Sequence, residues 1–182
     1  MATHWHNIGL TRTALAIFAL ALCCCKQPEP TYAPPEQHKP PVVRAPNPVM
    51  MLDMGDADID DHIVKDVHPK GDTPWRWTAQ EPTLKLVPAA TDHVKLSVDF
   101  SIWDDGFKTT GPIQATYLVN GHELDKVRYT TPGTKHFEKS VPDGWLPPNA
   151  VSTIGLALDK VYVSPKDGFK AGIILSRIGF VR

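Results

Sequence analysis

Along Val94, Leu96, Val98, Phe100 and Ile102 the apolar residues alternate strictly with Lys95, Ser97, Asp99 and Ser101. A period of two sorts side chains onto opposite faces of an extended strand, one buried and one wet, whereas a helix would scatter them around its axis. Ile113, Ala115, Tyr117 and Val119 repeat the pattern and run into Asn120-Gly121. That dipeptide is the strongest short hairpin signal, because a type I′ turn needs positive φ at both central positions. Residues 127–129 are the expected return strand. Pro132-Gly133 then reads as a type II turn, proline fixing the first central φ and glycine accepting the positive second one.

Further strands are expected at 135–141, 151–158, 161–163 and 170–181. In the last of these, Ile174, Ile178 and Phe180 fall on one face and Ile173, Leu175 and Val181 on the other. Apolar residues on both faces predict a central strand. Short strands, turns about ten residues apart and no amphipathic helix longer than a turn or two give an all-β fold, an antiparallel β-sandwich. The expected layout is a leader over 1–25, a tether over 26–50, an acidic lead-in over 51–71 and the β-sandwich over 72–182.

The leader rests on nine uninterrupted apolar residues, 14–22, after a polar opening with Arg12 and before Cys23, Cys24 and Cys25. Nine residues are far too few for the roughly twenty that span a bilayer, and the layout is that of a secretory signal. Cysteine at the exit resembles the lipobox of bacterial lipoproteins, in which the cysteine is acylated and becomes the first mature residue. Cys25 is the favoured anchor, with Leu22 three residues ahead and small Cys24 before the cut; Cys23, preceded by the larger Leu22, is the alternative. Nothing beyond Cys25 is cysteine, so the mature domain has no disulfide framework. From Lys26 on, Pro28, Pro30, Pro34, Pro35, Pro40, Pro41, Pro46 and Pro48 preclude helix and sheet. An extended polyproline segment rises roughly 3.1 Å per residue, a tether on the order of 70 Å long. The expected location is therefore outside the cytoplasm, periplasmic or at the cell surface. With Lys26 after the anchor, attachment to the outer membrane is expected where the cell has one.

The succession Tyr117-Leu118-Val119-Asn120-Gly121, Gly133, Phe137-Glu138, Val141-Pro142, Trp145-Leu146 and Leu175-Ser176-Arg177-Ile178-Gly179-Phe180, with Trp75-Arg76-Trp77-Thr78 ahead of it, resembles the galactose-binding-like jelly-roll domains. These are found beside bacterial glycan enzymes and in envelope proteins. The resemblance covers residues 71–182. It implies a non-catalytic sandwich that often binds carbohydrate and sometimes merely packs against a neighbouring domain.

Which residues would hold a sugar follows from side-chain chemistry: sugar rings stack their apolar faces on flat aromatics, and carboxylates, amides and guanidinium groups fix the hydroxyls. Alternation puts Trp103 on the wet face with Asp99, which marks both as ligand-binding candidates. Trp77 shares a face with Trp75, an arrangement that suits core packing as well as stacking, and Arg76 between them is a candidate polar contact. Trp145 reads as a packing anchor, and Arg177 as a charge paired in or near the core.

Other classes are disfavoured. Removing Arg12 with the leader leaves 18 basic against 20 acidic residues, and the cations are scattered singly, without the basic face that nucleic acid requires. Asp53, Asp56, Asp58, Asp60 and Asp61 with His62 and His68 invite a metal reading. With Asp56 first, however, Asp61 and Val67 stand where a calcium loop has glycine and glutamate. No cofactor is expected, and no enzyme: nucleophile elbow, His-Glu-x-x-His helix and phosphate loop are all missing. The expected partner is a carbohydrate or exopolysaccharide. The alternative is an envelope protein on which the domain docks as a scaffolding module, and the membrane is met through the lipid anchor alone.

Overall fold

The computed structural model describes residues 47–69 and 71–182. The leader, nearly all of the proline-rich stretch, and Cys23 and Cys25 lie outside them. Among the described residues eleven strands appear in chain order, with a 3₁₀ turn at Ile59–His62 between the first two and a short helix between the fourth and fifth. They are β1 (Met51–Asp53), β2 (Ile63–Val67), β3 (Arg76–Leu86), β4 (Lys95–Ile102), α1 (Asp104–Thr110), β5 (Ile113–Val119), β6 (His122–Tyr129), β7 (Gly133–Ser140), β8 (Ser152–Leu158), β9 (Tyr162–Val163), β10 (Lys170–Ala171) and β11 (Ile174–Val181). Every pairing is antiparallel.

One layer runs β7-β4-β11-β1 and the other β6-β5-β8-β3-β2. The long β3 belongs to both: Arg76 and Trp77 pair with β11, while residues 83–86 pair with β8. The alternation in β4 is realised, with Leu96, Val98, Phe100 and Ile102 at most 3% exposed. Ile113, Ala115, Tyr117 and Val119 face them from β5, equally buried. The two inner faces meet where the Tyr117 ring stacks on Phe137 and Phe100 meets Tyr129 edge-on, 5.4 Å between centroids. Each large apolar side chain taken fully from water contributes about 1.5–3 kcal/mol, so this interior is the main source of stability.

The turn chemistry holds. Asn120 and Gly121 have φ of 49° and 78°, and Gly133 has φ of 87°. Asn120 does more than turn the chain: its Nδ2 donates to the Trp145 carbonyl and its Oδ1 accepts from the Thr153 amide, tying the hairpin to β8. Trp145 packs, half-buried, against the core.

The sequence reading of β11 needs correction. It is central, with β4 along one edge and β3 and β1 along the other. Its apolar residues, however, do not divide between two faces. The register shifts between Leu175 and Arg177, a bulge that resets the alternation, so that Leu175, Ile178 and Phe180 all enter the core. Arg177, expected in or near the core, is exposed on the outer face of the sheet between β4 and β1, with Nε 4.0 Å from a carboxylate oxygen of Asp53. The segment 51–71, expected as a solvated lead-in, is built into both sheets. Its β1 pairs with β11 and its β2 with β3, and Leu52, Met54 and Ile59 are core residues.

Candidate functional site

β4 ends at Ile102, and the next residue begins a different structure. Trp103 is extended, with φ −70° and ψ 130°, and occupies the N-cap position of α1; its carbonyl accepts from the Phe107 amide. Asp104 and Asp105 fill the first turn, where carboxylates complement the helix dipole. Trp103 keeps the extended backbone of β4 and so continues the face of Asp99 and Ser101, which the Ser101–Ile174–Trp77 register shares with Trp77. It is half-buried, edge-on to Trp77 at 5.7 Å and to Tyr162 at 5.4 Å. Trp77 in turn meets Trp75 edge-on at 6.2 Å. Such pairs contribute about 0.5–1.5 kcal/mol each beyond their buried area and hold one another in fixed orientations.

α1 packs on β9, and Gly106 makes that possible. A Cβ on Gly106 would stand 2.9 Å from Trp103 Cε3 and 3.5 Å from the Tyr162 Cβ. The missing side chain is the space in which the indole lies.

The facing wall is the hairpin of β9 and β10. Its loop is braced by its own polar groups: the Ser164 amide donates to the Phe169 carbonyl and the Gly168 amide to the Ser164 carbonyl. The Phe169 amide donates to Asp167 Oδ1 at 3.2 Å. A hydrogen bond from Ser164, then that amide, hold the Asp167 carboxyl below the usual carboxylate range, so it is anionic near neutrality. Phe169 is 39% exposed, its ring against His68 at 4.5 Å. His68 Nε2 donates to the Lys170 carbonyl.

Trp77, Trp103, Tyr162 and Phe169 thus enclose an open cleft of about 300 Å³, with Ala171 in its lining and Ser164 and Asp167 as its polar members. That is the small end of the range of ligand sites, which combine apolar walls with few polar groups. A second concavity, of about 360 Å³, lies among Asp58, Asp61, His62 and Lys85. Its only aromatic is His62, whose Nδ1 is tied to the Lys85 carbonyl.

The structure brings two of the expected site residues, Trp77 and Trp103, into one cleft and leaves two outside. Arg76 is 1% exposed, pointing away from Trp77 as alternation demands, with its Nη1 donating to Asp60 Oδ1 at 2.5 Å. A ligand has no access to it, so the expected polar contact is corrected to a structural ion pair. Asp99 lies on the polar face of β4, 2.6 Å from His136 Nδ1, and does not line the cleft. Reading the sequence missed Tyr162, Ser164, Asp167 and Phe169. The signal was there in the Asp167-Gly168 turn between two β-patterned stretches. What was not readable is that this hairpin folds onto Trp103. Among the described residues, no group of three or more His, Cys, Asp or Glu could hold a metal ion.

No family model matches the chain, and no curated protein sequence matches it. Solved structures do. The chain is similar to the carbohydrate-binding module CBM36 in complex with calcium and xylotriose, at 12% identity over 73% of this chain and 100% of that one, with a TM-score of 0.39. A family 35 carbohydrate binding module from an environmental isolate matches at 13% identity over 74% and 93%, with a TM-score of 0.41. CBM35 from Paenibacillus barcinonensis matches at 13% over 74% and 99%, with a TM-score of 0.37. The sandwich assignment rests on the strand register above.

Proposed function

We propose that this domain is a non-catalytic carbohydrate-binding module and that the Trp77, Trp103, Tyr162 and Phe169 cleft is its platform. The observation that carries this reading is the set of Trp77, Trp103 and Tyr162 rings held edge-to-face beside open space that Phe169 also lines, with a hydroxyl and a carboxylate beside them. Flat apolar faces with few fixed polar groups are what a sugar ring requires. Asp167 is the one carboxylate in the lining, whereas most glycoside hydrolysis uses two across the bond, which supports binding without cleavage.

The test is a glycan screen of the full chain in detergent, followed by calorimetry on any hit. Trp103→Ala and Phe169→Ala should each weaken binding at least roughly tenfold, since each removes a stacking surface. Phe169 sits on a hairpin tip, so its variant should keep the wild-type melt. Asp99→Asn, outside the cleft, should bind as wild type. Unchanged affinity in both aromatic variants would sink the proposal.

We propose also that the domain is exported and lipid-anchored through Cys25, with Cys23 the alternative, on a proline-rich tether. The apolar run 14–22, the adjoining cysteines and the proline density of 26–50 support it. Cells fed labelled palmitate should incorporate it into the wild type and not into the chain with all three cysteines changed to serine. Label retained in that variant would refute the anchor.

A further inference from the structure

The polar chemistry of the cleft has one sign. Its walls are aromatic, with π-faces that attract cations, and its single charged lining residue is Asp167. Asp104 follows Trp103 directly in the chain and is exposed. No cation lines this space, though exposed Lys166 directly precedes Asp167 in the loop. Lys160 lines instead a separate recess behind Trp103 and Tyr162, beside Phe107 and Ile113. Lys170 precedes Ala171 in β10, and it is Ala171 that lines the cleft, so alternation carries the Lys170 side chain to the other face.

We propose that the saccharide this cleft prefers carries a free, protonated amine: an amino sugar, with its ring on one of the cleft's aromatic faces and its ammonium between the aromatic walls and the Asp167 carboxylate. The proposal rests on the carbohydrate reading above and adds the charge of the ligand. A neutral hexose would gain the stacking alone. A uronic acid would meet the same surface with the wrong charge.

Three tetrasaccharides with one β-1,4-glucan backbone separate the terms: chitotetraose with free amines, its fully N-acetylated counterpart, and cellotetraose. They are titrated into the full chain in detergent at about pH 6 and low salt, followed by tryptophan fluorescence and calorimetry. An exposed ion pair and a cation–π contact each contribute modestly, and together predict a preference for the free amine of roughly tenfold over cellotetraose. The preference should shrink as salt is raised. Asp167→Asn should remove most of it by lowering chitotetraose affinity far more than cellotetraose affinity, a selective loss that a folding defect would not give.

Equal affinity for all three sugars, or a preference that survives Asp167→Asn, overturns this inference. If cellotetraose still binds and Trp103→Ala abolishes it, the carbohydrate reading stands without it. If none of the three binds and the glycan screen is also blank, both fall. Tetramethylammonium binding as tightly as chitotetraose would show a site that reads the cation alone, and would overturn the sugar assignment.

Discussion

Trp103 illustrates how one residue's surroundings decide its role. Its indole is fixed by Trp77 and Tyr162 on its edges and by the absence of a side chain at Gly106. Gly106→Ala isolates the last of these. Alanine gains up to about 1 kcal/mol of helix propensity over glycine, but overpacking typically costs about 1–3 kcal/mol. The clash at 2.9 Å is with a ring locked by two others, so overpacking should win. The expected outcome is a lower melting temperature with a shifted tryptophan emission and weakened glycan binding; a higher melting temperature with unchanged emission would contradict it. At this scale the sequence was partly legible. Trp77 and Trp103 stand out as large aromatics without an apolar stripe to join, but Arg76 misled, because its partner Asp60 lies 16 residues upstream in a segment read as solvated.

The elements were more legible than the residues. The strands 94–102 and 113–119 and both turns follow from local alternation and from the φ demands of Asn120, Gly121 and Gly133. What local pattern does not encode is a reset of phase. The bulge in β11 turns what looks like two apolar faces into one. In the same way β1 and β2 hide within an acidic stretch, since only Leu52, Met54 and Ile59 are needed to seat it. The central place of β11 yields a prediction. Deleting residues 178–182 removes Ile178 and Phe180, buried to 0% and 1% exposure, together with most of the pairing to β1 and most of that to β4. Losing two large core side chains costs about 2–5 kcal/mol each, against a total stability of about 5–15 kcal/mol for a typical domain. The truncated chain should show no cooperative melt by circular dichroism, and a retained sharp transition would refute the placement.

The molecule as a whole carries a record of its core in its response to alkali. Burial, then a hydrogen bond shared with Tyr129, pushes the Tyr117 phenol far above its ordinary value of 10.0; burial raises Tyr129 as well. A raised folded-state value means that stability is full below about pH 10 and is lost as pH rises past it, because only the unfolded chain can ionise there. The loss should approach about 1.4 kcal/mol per pH unit for each such tyrosine. Absorbance at 295 nm should show the Tyr117 ionisation coinciding with unfolding, and Tyr117→Phe should shift the alkaline transition upward. A Tyr117 that titrates in a still-folded protein would contradict the packing.

The pairing of β1 also has a mechanical meaning. The chain enters the fold through Val49, whose amide donates to the Val87 carbonyl, and passes Met50, whose carbonyl accepts from Phe180, before Met54 donates to Ser176. A pull on the N-terminal end, as from any tether, is thus received first at Val87, just past β3, and then by the central strand through a short zip of hydrogen bonds. The cleft residues, Trp77 near the start of β3, Trp103 just past β4 and those of the β9–β10 hairpin, make none of these bonds. A bound polymer dragged by flow would strain the grip on β1 before it disturbed the aromatic walls, so the weakest link of the loaded assembly would be its mooring rather than its hold.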